Sequence, residues 1–222
     1  MNTEGSTAFW RAAYATDIEA MRLLVTYGAD ENLPTLAPEP RRRRGAGGQS
    51  GGPPGQRPRR PGTVGNFFRV GSGSEAEASR AGEPEPVDPS GLPPVPVGGP
   101  GVFAIHAASG VGYGTGFAGN AHRHAPDAWL SVVRYLIEEL DADLDARDYN
   151  GYTALHHAAS RGDNEMILYL IENGADVTVV SRRGQTAADM ANGPVSRISP
   201  FPDAVALLER LGSKNNHNCV SC

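Results

Sequence analysis

The residues best suited to chemistry lie in a few short stretches. His217-Asn-Cys219-Val-Ser-Cys222 sets two thiols three positions apart, with an imidazole just ahead of them. A C-x-x-C pair can cycle as a disulfide or supply two thiolates to a metal, with His217 as a third ligand. His122-Arg-His124 offers two more imidazoles, too few by themselves, because a structural zinc takes four protein ligands and a catalytic one usually three. Gly114-Thr-Gly116-Phe-Ala-Gly119 spells a phosphate-cradling loop, but that loop works only after a strand and at the start of a helix. Here it follows a helical pattern inside a glycine-rich segment, so no cofactor is expected. No nucleophile elbow, HExxH or P-loop occurs, and catalysis has no support in these residues.

Which elements position these groups depends on where the chain can fold. Of 222 residues, 28 are Gly and 18 Pro, and half of the Gly and most of the Pro fall between Leu33 and Pro100. That segment has few large apolar side chains and cannot offset the entropy of ordering it, so 33–100 is expected to be disordered. Its nine arginines against six acidic residues give a local +3, which leaves −8 of the net −5 on the remainder. An acidic folded part argues against nucleic acid as a partner. Arg41–Arg44, Arg57, Arg59 and Arg60 have no interleaved aromatics and read as a solvated linker. No apolar run is long enough to span a membrane, and the N-terminal residues do not form a secretory signal. With cysteine confined to positions 219 and 222, the compartment stays open.

Elsewhere the sequence repeats. Gly151 and Gly184 are 33 apart, as are Thr153 and Thr186, and a fixed period of this size marks stacked supersecondary units. Within one unit, Leu155, Ala158 and Ala159, then Ile167, Leu168, Leu170 and Ile171, fall at helical spacing on two segments parted by Arg161-Gly162-Asp163. Asn150-Gly151 signals a tight turn before the first helix and Asn173-Gly174 a stop after the second.

These residues resemble the ankyrin-repeat family. Its turn glycine, T-P-L-H, paired alanines and G-A-D are matched by Gly151, Thr153-Ala-Leu-His156, Ala158-Ala159 and Gly174-Ala175-Asp176. The enlarged second repeat and the ending CVSC also look like a group of bacterial ankyrin-repeat proteins, a likeness that implies no chemistry. The expected fold is an all-α solenoid of stacked antiparallel helix pairs with β-hairpin-like turns, interrupted by the long linker. Repeat one is 1–32; repeat two is 101–150, with an inter-helix insertion at 110–126. Repeat three is 151–183, a C-terminal capping repeat 184–212, and a flexible tail 213–222. The first repeat lacks a polar cap ahead of Trp10, Met21 and Leu24, which suggests missing upstream repeats or another covering surface; otherwise a monomer is expected.

Repeat one is expected to dock on repeat two. Spanning 68 residues instead of a few adds about 2 kcal/mol of closure entropy, less than burying two or three large side chains returns at ~1.5–3 kcal/mol each. The resemblance implies a protein-binding scaffold with a concave face. From the turns we expect contacts by Arg147, Tyr149, Tyr152, Arg182, Arg183 and Gln185, and from the inner helices by Arg11, Tyr14, His157 and Arg161. Tyr and Arg often dominate such contacts. His106 and His156 stand at the family's structural histidine position. The second reading makes His217, Cys219 and Cys222, with His122 and His124, a metal or thiol-redox module.

Overall fold

The computed structural model describes residues 4–39, 87–112, 128–193, 199–220 and 222. Among them are eight α-helices and no named strand. They run as α1 Ala8–Tyr14, α2 Ile18–Thr26, α3 Ala104–Ser109, α4 Trp129–Arg134, α5 Ala154–Ala159, α6 Asn164–Glu172, α7 Ala187–Ala191 and α8 Pro202–Arg210. A π-turn, Tyr135–Glu139, prolongs α4.

A threonine precedes three of the four inner helices, and Phe103 precedes α3. The Thr7 hydroxyl accepts from the Trp10 amide at 3.0 Å, and the Thr186 hydroxyl from the Asp189 amide at 3.1 Å. At Thr153 the amide itself donates back to His156 Nδ1 at 3.2 Å. Asp17 and Asp163 cap the outer helices α2 and α6, accepting from Ala20 and Met166. Such caps satisfy amides that have no partner inside the helix. The outer helices stop where Gly28 and Gly174 enter the left-handed region, at φ of 80° and 101°. In repeat two Asp141 takes that conformation, at φ 54°.

The inner helices pack in series, α1 on α3, α3 on α5 and α5 on α7, and the outer helices α4, α6 and α8 follow behind. Alanines make the close approach possible: Ala13, Ala107, Ala108, Ala158, Ala159 and Ala188 are fully buried. Larger apolar groups such as Leu136, Leu155, Ile167, Leu170 and Leu208 fill the space between inner and outer rows.

Each inner helix also holds the turn that follows through the side chain at its third position. His156 Nε2 lies 3.2 Å from the Gln185 carbonyl, and His106 Nε2 2.9 Å from that of Ala146. Trp10 does the same work in repeat one, donating from Nε1 to the Val102 carbonyl at 2.9 Å. Trp10 and Met21 are therefore buried against the next repeat and their own helical pair.

The expected disordered span 33–100 is corrected at both ends. Thr35 donates to the Val102 carbonyl at 2.9 Å and its hydroxyl accepts from the Val102 amide at 3.0 Å. The same pairing recurs between Asp148 and Tyr152 and between Ser181 and Gln185. The long segment is thus an insertion at the tip of repeat two's own turn, continued by Ala37 amide to Gly99 carbonyl at 2.7 Å. Residues 88–97 also lie on the stack, as described below. The rest of the expected linker, the glycine loop 114–119, His122, His124 and most of the insertion 110–126 lie outside the described residues.

The tail, expected to be flexible from 213, is corrected as well. Buried Asp189 stands where repeat three has His156, and its Oδ1 accepts from the amides of Asn216, at 2.7 Å, and Asn218, at 3.2 Å. Thr186 donates to the Lys214 carbonyl at 2.5 Å and Gln185 Nε2 to that of Asn218 at 2.9 Å. The tail completes the last repeat as a next turn would.

Candidate protein-binding surface

The surface that could meet another polypeptide is built on the hairpin turns 148–152 and 181–185. Gly151 and Gly184, at φ of 80° and 74°, allow each turn to close through an amide to the carbonyl three residues back. Asp148, 3% exposed, fixes the first turn from inside by accepting at Oδ1 from the amides of Asn150 and Tyr152, at 2.8 and 2.9 Å. Its Oδ2 lies 3.4 Å from His157 Nε2. Burial alone would push the Asp148 carboxyl up, yet His157, His106 and the Tyr152 amide hold it below its ordinary value. Burial pushes His106 down to about 4 and His156 to about 3, so both imidazoles are neutral inside the stack.

These interactions decide which expected contact residues remain free. Tyr152, His157 and Gln185 are buried, contrary to expectation. Tyr152 donates to Gln185 Oε1 at 2.5 Å, and His157 sits between Asp148 and the ring edges of His106 and Tyr152. Position on the inner helix did not bring His157 outward, because the preceding turn folds over it. Arg147 spans two turns, donating to the carbonyls of Gly151 and Val180. Arg161 lies 3.7 Å over the Trp129 ring and pairs with Asp163 at 2.5 Å. Tyr149 and Tyr14 are half-buried, Tyr14 stacking on Trp10 at 5.4 Å. Arg183 and Arg11 are exposed, with Arg11 donating to the Ser6 hydroxyl.

Arg182 does something the repeat pattern does not foretell. Its Nε donates to the Tyr149 carbonyl at 3.2 Å, while its terminal nitrogens reach Asp88 Oδ2 at 2.5 Å and the carbonyls of Leu92 and Pro93 at 3.2 and 2.5 Å. The proline-rich arm is thereby seated along the turns. Beside it lies a groove of about 420 Å³ walled by Leu92, Pro93, Val95, Phe103, Leu136 and Arg147. The sequence carried one signal for this arm, the Pro-Pro-Val-Pro run at 93–96, and none for the place it occupies.

At the chain's end Cys219 and Cys222 are joined as a disulfide, and His217 is exposed. Among the described residues no group of three or more His, Cys, Asp or Glu side chains is arranged to hold a metal, and no helix is long and apolar enough to cross a membrane.

Residues 133–191, containing the 148–152 and 181–185 turns, match the family model described as ankyrin repeats (many copies). This chain carries ankyrin repeats. The chain is similar to part of the rat protein named protein phosphatase 1 regulatory subunit 12A, at 34% identity over 43% of this chain and 8% of the relative. Mouse ankyrin repeat and SAM domain-containing protein 6 is 40% identical over 28% of the chain and 7% of its own length. The NAD-capped RNA hydrolase NUDT12 of Macaca fascicularis is 31% identical over 32% of the chain, which spans 15% of that enzyme. In each case the likeness covers a small fraction of the relative. Ankyrin repeats generally mediate protein–protein interaction.

Proposed function

We propose that this ankyrin stack is a non-catalytic scaffold that binds a protein partner through its turn tips and the outward side chains of its inner helices. The observation that carries this reading is the division of labour within the turns. Asp148, Ser181 and the buried histidines fix the backbone internally, which leaves Arg183 and Arg11 presented on a rigid frame at little further entropy cost. The name of the rat relative describes a subunit, a chain that works in association with another polypeptide; we extend that mode of action, but no identity of partner, to this chain. The acidic balance of the folded part favours a protein over a nucleic acid.

Charge reversal at the exposed tips tests the proposal. An Arg11→Glu/Arg183→Glu chain is expected to melt within a few degrees of the unmodified protein and to lose at least tenfold in recovery of the proteins captured from a host extract. Equal capture of those proteins by both chains would refute the assignment.

A further inference from the structure

We infer that the Arg182-centred groove is a receptor for an extended, proline-rich peptide from a partner protein. This peptide carries an acidic residue followed by apolar side chains four and seven positions later. The chain's own Asp88–Val97 is its resting occupant. The inference rests on the scaffold reading above and names the chemistry of what is bound.

The arm is seated in the manner of a ligand. Asp88 pairs with the guanidinium of Arg182, and the backbone carbonyls of Leu92 and Pro93 accept from the same group. Leu92 and Val95 are half-buried while Pro93, Pro94, Pro96 and Val97 are exposed. That spacing of three is the edge of a polyproline II helix, a conformation that loses little entropy on docking and presents free carbonyls to a donor. Leu92 also approaches the Gly151 turn and Pro89 the Gly184 turn, where a Cβ would meet their side chains at 3.3 and 3.4 Å. At Gly151 a side chain would crowd the arm, whereas at Gly184 the approach is an ordinary contact. A second feature points the same way. The arm leaves the groove underfilled, with about 420 Å³ between Leu92, Val95, Phe103 and Leu136, so a partner with a larger apolar residue would occupy it more fully.

The hold on the arm differs from the hold on its base. At 35–37 and 98–102 the backbone pairs directly, with Thr35, Ala37 and Val102 buried. Along 88–97 the hydrogen bonds to the repeats, among the described residues, come from one half-buried side chain, Arg182. The arm is tethered a few residues from its site, giving an effective concentration on the order of millimolar. A free peptide of equal intrinsic affinity is therefore excluded until the arm is weakened or outcompeted.

The probe is a fluorescent peptide of the arm's own sequence, Asp88–Val97, titrated against the full chain by anisotropy. A chain carrying Asp88→Lys and Leu92→Asp should bind it at least tenfold more tightly than the unmodified chain, and adding Arg182→Glu should abolish the gain. Melting curves confirm that each variant is folded. No gain on disabling the arm, or a gain that survives Arg182→Glu, overturns the proposal. So does a dimer that sediments only when Asp88 is present, because the occupant would then be a second copy. Should the arm variants fail to fold, hydrogen exchange on the unmodified chain decides. Amides at 90–97 are expected to exchange at least tenfold faster than those of Thr35, Ala37 and Val102, and equal protection would mean a permanent structural segment. Capture through Arg11 and Arg183 is measured separately, so either reading can fail without the other.

Discussion

Replacing Trp10 with alanine strips the first helical pair from the stack while leaving the rest folded. Trp10 is 1% exposed and donates from Nε1 to the Val102 carbonyl at 2.9 Å. Truncating a buried aromatic costs about 3–5 kcal/mol, while the Val102 carbonyl keeps the Thr35 amide as its donor. In a solenoid each repeat contacts only its neighbours, so the loss stays local. Repeat one has one neighbour in this structure, through α1 on α3, Arg22 with Glu139 and Arg22 over the Tyr135 ring. Hydrogen exchange should show the amides of α1 and α2 opening at least a hundredfold more readily, with α5 and α7 unchanged. Uniform acceleration along the chain, or a loss below about 1 kcal/mol in urea unfolding, would contradict the picture.

The second large effect is acid lability. His106 and His156 have folded pKa values of about 4 and about 3 because burial disfavours their charged forms, whereas an unfolded histidine titrates near 6.5. Above pH 6.5 both states are neutral and pH has no leverage through these groups. As pH falls from 6.5 towards 4, the unfolded chain takes up protons that the fold cannot accept, so stability falls with pH. Each histidine accounts for about 3 kcal/mol by pH 4, against ~5–15 kcal/mol for a typical domain. Asp148 is also depressed, but its ordinary value of 3.8 places its contribution below this window. Urea midpoints measured from pH 7 to pH 4.5 should drop steeply, and a His106→Gln/His156→Gln chain should show a flatter slope across the same range. A midpoint independent of pH between 6.5 and 4.5 would rule out neutral buried imidazoles.

Much of the stack was legible because its determinants are local and periodic. The threonines ahead of α1, α5 and α7, the alanines at the helix contacts and the glycines after α2 and α6 recur at corresponding places in their repeats. Trp10 and Asp189 were visible as departures from the histidine position, but their partners, Val102 and the tail amides, lie 92 and 27 to 29 residues away. The arm 88–97 was read as linker because its composition matches the segment before it. What seats it is one guanidinium about ninety residues later in the chain. The contact residues were the least legible. Arg and Tyr at turn positions suit a partner and a neighbouring turn equally well, and here Arg147, Tyr152, Arg161 and Arg182 serve the neighbouring structure. His157 was assigned by helix face alone, without the Asp148 turn that covers it.

Everything proposed for the surface depends on the repeats on either side of the 40–86 insertion forming one stack. A protease site placed within 40–86 and cut to completion tests this most directly. Phe9, Trp10 and Met21 are buried to 1% or less, and each such side chain stabilises the seated repeat by ~1.5–3 kcal/mol. The account predicts that the N-terminal piece stays with the rest of the chain on a sizing column at micromolar concentration, with the melting profile retained. Separation of the two pieces under native conditions would contradict it.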